Sequence, residues 1–161
     1  MTGLLYQVQF PRTIAPFLSA MPLKLATLNV ERSKHLDLVL PFLAEQKFDV
    51  VCLQELMERD ISRFKEIAGE NFVFAPMTRW VKEGPPTVIG VGVFSPHPLK
   101  HSAAQYYHGS ADILATFDET SIDTKAKTVS NPLLVADIEK EEVVYRIVTT
   151  HFSWTPDGSA S

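Results

Sequence analysis

Three short apolar segments, each of which ends in a polar residue, constrain the fold of this chain most strongly. Apolar runs of four to eight residues are typical of strands in a protein core. A polar side chain at the tip of such a strand is held rigidly and faces the rim of the sheet. The segments and their polar residues are 23–30 with Asn29, 49–54 with Glu55, and 143–150 with His151. We therefore expect these three side chains to converge on one rim.

The opening of the chain predicts a strand, a helix and a second strand. The helix is expected over residues 34–46, with Ser33 as its N-cap and Pro41 as the cause of a kink or a broken first half. Because this helix lies between strands 23–30 and 49–54, those strands are expected to be parallel neighbours that are joined by a right-handed crossover.

Downstream, the pattern predicts strands that follow one another closely, which is typical of an antiparallel sheet. The predicted elements are a helix over 59–68 that ends at Gly69, strands over 71–76, 87–95, 100–107, 133–138 and 143–151, loops over 80–86 and 118–131, and a hairpin turn at 139–142. The expected fold class is therefore α/β, with mixed strands.

Composition indicates one domain with a sizeable core, since the chain has 161 residues, of which 45% are hydrophobic, and a mean hydropathy of +0.03. It carries 15 basic and 19 acidic residues, for a formal net charge of −4. This balance argues against a broad basic surface for nonspecific nucleic-acid binding, although it is compatible with a local basic groove.

Cys52 is the single cysteine, so no disulfide can form within the chain. This fits a reducing compartment and predicts a cytoplasmic protein. Its position inside an apolar strand favours a buried, inert thiol over a reactive one. No stretch approaches the roughly 18 apolar residues that a membrane-spanning helix needs.

Residues 1–20 are expected to be a leader that lies outside the fold. Their one basic residue, Arg12, lies between Pro11 and Pro16, whereas a signal peptide has a charged start and then an unbroken apolar stretch. Met21 leads directly into the first strand, so the expected domain is 21–161.

The last residues, 154–161, are turn-like and directly follow a core strand. A core strand without a neighbour on one side leaves backbone groups unpaired. We therefore expect residues 21–161 to be an incomplete domain whose C-terminal portion is missing.

The polar residues at the strand tips suit a metal-assisted site for a phosphate. Glu55 is a hard oxygen ligand of the kind that Mg²⁺ takes, or alternatively a surface glutamate that opens the next turn. Asn29 either supports a phosphate and a metal or bonds its own backbone. Glu31 is a candidate second carboxylate ligand, or alternatively a solvated turn residue.

His151 is the fourth candidate, either as a donor to a phosphoryl oxygen or as a buried histidine whose hydrogen bonds are satisfied. His97, His101 and His108 show no ligand spacing and are expected at the surface, and His35 is expected on the polar side of the first helix.

The strand motifs, taken in order, are similar to those of a known family. They are Ala26-Thr27-Leu28-Asn29-Val30, Asp49-Val50-Val51-Cys52-Leu53-Gln54-Glu55, Gly90-Val91-Gly92-Val93-Phe94-Ser95 and Val148-Thr149-Thr150-His151-Phe152. The set resembles the N-terminal part of the endonuclease/exonuclease/phosphatase superfamily, over about residues 23–158.

The resemblance implies a two-sheet α/β sandwich flanked by helices and the hydrolysis of a phosphate ester with Mg²⁺ or Mn²⁺. Carried over by position, Glu55 would bind the metal, Asn29 would support phosphate and metal, and His151 would contact the scissile phosphate. The substrate class is a phosphate ester, and the net acidity mildly favours a small one over long duplex DNA.

The chain departs from the family pattern in two respects. Pro96 stands where a basic residue often follows the serine, and neither Gly-Asp-x-Asn nor Ser-Asp-His occurs in the sequence. In the family those motifs supply the aspartate that activates water and a histidine paired with an aspartate. We therefore expect a truncated chain that is inactive alone.

Two other functions fit parts of the sequence. A noncatalytic half-domain could bind a partner through an open sheet edge by strand addition. A Rossmann-like nucleotide-binding domain is disfavoured, because Val30-Glu31-Arg32-Ser33 follows the first strand where a glycine-rich loop would be needed.

Overall fold

The computed structural model describes residues 22–152, within which seven strands and three α-helices follow one another. They are β1 (Leu25–Asn29), α1 (Leu36–Gln46), β2 (Val50–Met57), a 3₁₀ turn (Glu58–Asp60), α2 (Ile61–Ala68), β3 (Asn71–Trp80), β4 (Thr87–Ser95), β5 (Leu99–His108), α3 (Ile122–Thr128), β6 (Asn131–Lys140) and β7 (Val143–Thr150). The expected leader, 1–20, and the tail, 153–161, lie outside the described residues. No helix of the described part is long and apolar enough to cross a membrane.

The strands form two sheets. The first sheet has the order β1-β2-β4-β3 and the second has the order β5-β6-β7. The β1–β2 pair is parallel, and each other pair of neighbouring strands is antiparallel. The predicted α/β class, the two-sheet sandwich and the parallel opening pair are confirmed.

Strand β2 is buried on both faces, because the first sheet lies between the second sheet and the helices. Val50 and Cys52 belong to the core between the sheets, whereas Val51 and Leu53 belong to the core under the helices. A strand that is buried on both faces has a near-continuous apolar sequence, which is why this segment is so apolar. Residues of β6 in the first core are Leu134, Ala136 and Ile138, and helical residues in the second are Leu36, Leu43, Phe64 and Ala68.

The single cysteine, Cys52, is 2% exposed. Burial raises the pKa of its thiol to about 11. The prediction of a buried, inert thiol is therefore confirmed.

Helix α1 begins two residues later than predicted and continues through Pro41. Ser33 is not its N-cap; His35 occupies that position without a capping side-chain bond. The Ser33 hydroxyl instead donates to Asp60 Oδ2 at 2.5 Å, which ties the turn after β1 to the start of α2. The prediction failed because this partner lies 27 residues away in the sequence.

The predicted loop 118–131 is wrong in its middle, since α3 lies there. Its start is a capping box in which Thr124 N–H donates to Ser121 Oγ at 3.1 Å and Ser121 N–H donates to Thr124 Oγ1 at 2.9 Å. None of the helical residues is buried. The helix therefore lacks the apolar periodicity by which the other helices were predicted.

The predicted strands all occur, and several extend further than predicted. Strand β3 continues to Trp80 through an irregularity between Pro76 and Thr78, and proline is tolerated there because β3 is an edge strand. The predicted hairpin is confirmed. Glu141 and Glu142 join β6 to β7 with φ values of 51° and 64°, which is the left-handed pair of a type I′ turn.

The Asp49 side chain links both sheets at the start of β2. Its Oδ2 accepts hydrogen bonds from Lys24 N–H and from Lys140 Nζ, each at 2.8 Å. Its Oδ1 lies 2.8 Å from His97 Nε2, just beyond β4. The expectation of a surface residue is therefore wrong for His97, which is partly buried against this carboxylate, whereas His101 and His108 are exposed as predicted.

The Asp49 interactions predict a pH-dependent stability. Burial raises the pKa of Asp49, but the bonds from Lys140, Lys24 and His97 outweigh it and lower the pKa from 3.8 to about 2. Because the folded pKa is below the unfolded one, this stabilisation is present above about pH 4 and is lost as the pH falls toward about 2. Asp49→Asn should lower the free energy of unfolding by about 2 kcal/mol at neutral pH, and the difference should shrink toward pH 2.

Urea unfolding of wild type and variant from neutral to acidic pH measures this difference. Glu66→Gln, an exposed position in α2, removes the same charge and is the control. A loss of stability in Asp49→Asn that stays constant across the pH range would contradict the electrostatic origin.

Candidate active site

Glu55 lies in a β-bulge near the end of β2. Leu53 pairs with Gly92 and Leu56 pairs with Gly90, so that β2 has one more residue than β4 between the two pairs. Glu55 takes a left-handed backbone conformation, with φ of 53°. Both leucines pack into the core under the helices, while the Glu55 side chain is 24% exposed.

The bulge is what keeps this carboxylate out of the core. Regular alternation would place Glu55 on the same face as Leu53, where an unpaired charge is costly. Gly90, which pairs with Leu56 just beyond the bulge, has no room for a side chain because β3 lies close to it: a Cβ there would lie 2.3 Å from the carbonyl oxygen of Ala75.

Asn29, at the end of β1, holds Glu55 from one side. Its Nδ2 donates to Glu55 Oε1 at 3.0 Å, and its Oδ1 accepts from Glu31 N–H at 2.9 Å. Only the carbonyl end of an amide can accept, so the second bond fixes which end faces Glu55. The interpretation that Asn29 bonds its local backbone is confirmed, and the contact with Glu55 is compatible with the predicted support of a metal and a phosphate, which stays a prediction.

His151, directly after β7, approaches the same oxygen. Its Nε2 lies 3.4 Å from Glu55 Oε1, and its side chain is 27% exposed. Its backbone carbonyl accepts from Asn131 Nδ2 and from the Tyr107 hydroxyl, each at 3.2 Å. The predicted convergence of the three strand tips is confirmed, and the roles of these residues remain predictions.

Gln54 connects the strands that carry the three residues, and sequence reasoning gave it no role. Its Nε2 donates to Thr27 Oγ1 in β1 at 3.1 Å and to Thr149 Oγ1 in β7 at 3.0 Å. It thereby holds β7, and with it His151, beside the end of β2. The available signal was a second polar side chain next to Glu55 in a strand that is otherwise apolar.

The surroundings of Glu55 favour its ionised form. A hydrogen bond from His151 lowers its pKa, partial burial opposes this, and Asn29 and Arg32 lower it further, to about 2. Glu55 is therefore a carboxylate at neutral pH, the form in which it can bind a divalent cation.

Glu31 does not join this cluster. Its carboxylate lies 2.9 Å from Lys34 Nζ and 3.2 Å from His35 Nε2, and it is 42% exposed. Between residues 22 and 152, no three His, Cys, Asp or Glu side chains group closely enough to hold a metal by themselves. A metal at Glu55 would therefore complete its coordination with water or with substrate oxygens.

A cavity of about 550 Å³ opens beside the cluster. It lies between β1 and β7, each of which is the outer strand of its sheet. An ester group that reached His151 would find room there. The lining residues are Thr27, Asn29, Gln54, Leu133, Val148, Thr149, Thr150, His151 and Phe152.

Comparison with solved structures finds a similar fold in a protein from Leptotrichia buccalis. An endonuclease/exonuclease/phosphatase family protein from Leptotrichia buccalis superposes with a TM-score of 0.53 at 14% identity, over 82% of this chain and 55% of that one. An endonuclease/exonuclease/phosphatase from Bacteroides vulgatus gives a TM-score of 0.49 at 14% identity, over 81% of this chain and 52% of that one. A humanized TDP2 of D. rerio gives a TM-score of 0.47 at 18% identity, over 84% of this chain and 52% of that one. This chain spans about half the length of these proteins.

The sequence itself has no match among curated proteins. The family model described as the Endonuclease/Exonuclease/phosphatase family matches residues 26–154, a segment that takes in most of the chain and includes Asn29, Glu55 and His151. This chain belongs to the endonuclease/exonuclease/phosphatase family.

Proposed function

We propose that this chain contributes part of the active site of a divalent-metal-dependent hydrolase that cleaves phosphate esters. The supporting observation is the convergence of three strand tips on one carboxylate, with contacts of 3.0 Å from Asn29 and 3.4 Å from His151. Membership of a family of nucleases and phosphatases favours the same activity.

Glu55 is the proposed ligand of Mg²⁺ or Mn²⁺. One ionised carboxylate that is partly exposed suits Mg²⁺, which usually binds through one or two carboxylates and keeps several waters. A bound ion would neutralise charge on the phosphoryl oxygens. For Glu31 to serve as a second ligand, its carboxylate would have to leave Lys34 and His35.

Asn29 and His151 have different proposed roles. Asn29 fixes the orientation of the Glu55 carboxylate, because its own amide is fixed by the Glu31 backbone. His151 is proposed to donate a hydrogen bond from Nε2 to an oxygen of the scissile phosphate, which would stabilise developing negative charge.

Replacement of Glu55 tests this function directly. We expect Glu55→Gln to weaken Mn²⁺ binding at least about tenfold, because the amide keeps the shape of the side chain but removes the anionic ligand. Titration calorimetry or the Mn²⁺ electron paramagnetic resonance signal measures the affinity, with Glu66→Gln as the charge-matched control. Equal Mn²⁺ affinity in wild type and Glu55→Gln would refute the assignment.

The sequence assigns no residue to the activation of water, since Gly-Asp-x-Asn does not occur in it. General-base assistance contributes about 10²–10⁴-fold to such reactions. We expect the 161-residue chain to hydrolyse bis-p-nitrophenyl phosphate in Mg²⁺ or Mn²⁺ no faster than its Glu55→Gln variant does. Metal-dependent turnover by the wild type that the variant lacks would show that another residue supplies the base.

The placement of His151 depends on Gln54, which predicts energetic coupling between β2 and β7. Gln54→Met and Thr149→Val each remove one partner of the 3.0 Å bond. In a double-mutant cycle of unfolding free energies we expect a coupling of about 1 kcal/mol. Gln54→Met combined with Thr124→Val in α3 should be additive, and additivity of the first pair as well would contradict a stabilising bond.

A second candidate function is the binding of a partner protein through a sheet edge. It is favoured by β7, an outer strand of the second sheet with exposed Val144 and Val148, at 53% and 54%, followed by Phe152 at 78%. Val144→Asp should abolish such binding without affecting Mn²⁺ affinity, because Val144 does not line the cavity beside Glu55, and this separates the second function from the first.

A further inference from the structure

Arg32 lies beside the Glu55 carboxylate on the side away from His151. Asn29 and His151 both contact Oε1, whereas Arg32 Nη1 lies 3.9 Å from Oε2. This separation is that of a weak ion pair and is too long for a hydrogen bond. The Arg32 side chain is 26% exposed, so a ligand at the carboxylate could reach it.

The guanidinium of Arg32 is held by the ring of Trp80. Its central carbon lies 4.7 Å from the ring centroid, a distance typical of a cation–π contact. Trp80 is only 4% exposed and packs on Phe117 at 5.2 Å between ring centroids, so the support is fixed in the core. The nearby ammonium of Lys82 is paired with Glu119.

The contact with Trp80 leaves the N–H groups of Arg32 available. A guanidinium has five N–H donors, and Trp80 contributes its ring and no oxygen or nitrogen acceptor. Among the side chains and backbone groups of residues 22–152, the structure gives the guanidinium no hydrogen-bonded acceptor. A fixed cation with free planar donors is the arrangement that suits bidentate binding of a phosphate.

The backbone of the turn that carries Arg32 is strained. Glu31 and Arg32 both have left-handed conformations, with φ of 45° and 67°. Two consecutive non-glycine residues of this kind are unfavourable and cluster at functional sites. The strained turn and the Trp80 ring together aim Arg32 at the Oε2 side of the candidate metal ligand.

We propose that Arg32 binds a second phosphate of the substrate, next to the scissile one, and so selects phosphodiesters that carry a neighbouring phosphate. The inference rests on the proposed function, in which the scissile phosphate lies between the Glu55 metal and His151. His151 lines the cavity beside Glu55, whereas Arg32 is not among the lining residues and lies against Trp80. We therefore assign the scissile phosphate to His151 and the neighbouring phosphate to Arg32.

Two probes that differ by one phosphate test this proposal. The dinucleotide TpT has a single phosphodiester, and pTpT adds a 5′-phosphate. Each is titrated into the 161-residue chain in Ca²⁺, with the heat of binding and the fluorescence of Trp80 as readouts. Trp154→Phe leaves Trp80 as the single tryptophan, because the chain has two.

We expect the wild type to bind pTpT at least about tenfold more tightly than TpT, which is typical of an added charge-assisted contact. Arg32→Gln should remove this preference and leave the TpT affinity within about twofold. Arg32→Lys, which keeps the charge but not the planar donors, should retain only part of the preference. The control is Arg63→Gln, an exposed arginine on α2, which should bind both probes as the wild type does.

Three results overturn the proposal: no preference for pTpT in the wild type, an unchanged preference in both Arg32 variants, or an equal loss of both probes in Arg32→Gln. The Mn²⁺ affinity of Glu55→Gln distinguishes a failure of the proposed metal site from a failure of the proposed role of Arg32. If that variant has lost Mn²⁺ and any of the three results is found, the metal site stands and only the role of Arg32 is wrong.

Discussion

The burial of β2 on both faces is the constraint on which the rest of the structure depends. Val50 and Cys52 face the second sheet, while Val51 and Leu53 face the helices. Neither face of the strand is therefore open to solvent, where a charged side chain could lie. Charged groups are therefore confined to its two ends. At one end Asp49 ties the sheets together, and at the other end a bulge moves Glu55 out of the core. The burial of β2 on both faces therefore accounts both for the packing of the two sheets and for the position of Glu55.

The rim that carries the candidate site concentrates backbone strain. Glu31, Arg32 and Glu55 all have left-handed φ values, each of which costs about 1–2 kcal/mol for a non-glycine residue. The other left-handed residues outside glycine lie where local structure explains them, at the end of α1 and in the β6–β7 turn. At Glu55 the strain is sustained by the packed core beneath it, because Leu53 and Leu56 could not both face the helices without the bulge.

The sequence predicted much of this arrangement because strand tips are local features. A run of apolar residues followed by a polar one specifies both a core strand and the side chain at its end, so Asn29, Glu55 and His151 could be identified without knowledge of the sheet order. The bulge could not be predicted in this way, because a strand that is buried on both faces can bury Leu53 and Leu56 on opposite sides without any irregularity. The left-handed conformation of Glu55 therefore came only from the structure.

Features that depend on distant partners were not predictable. The pairing of His97 with Asp49, the donation from Ser33 to Asp60 and the bridge from Gln54 to Thr149 all join residues far apart in the chain. Nothing in the local sequence of His97 or Ser33 marks the partner. Helix α3 was missed for a different reason, because it buries no residue and its evidence is a capping box of two short polar side chains.

The donors around Glu55 also determine how a metal and a phosphate would affect each other. Oε1 already has two close donors, Asn29 and His151, whereas within residues 22–152 the contact of Oε2 is the long one with Arg32, so a cation meets less competition at Oε2. A cation there would repel the guanidinium and reduce the attraction of His151 for the carboxylate. The scissile phosphate would accept a hydrogen bond from His151, the neighbouring phosphate would accept from Arg32, and their negative charge would neutralise the cation. The cation would weaken the contacts of His151 and Arg32 with Glu55, and the phosphates of the substrate would provide new acceptors for both. Each of the two ligands, cation and substrate, would therefore bind more tightly when the other is present, and the gain in affinity would be the same for both.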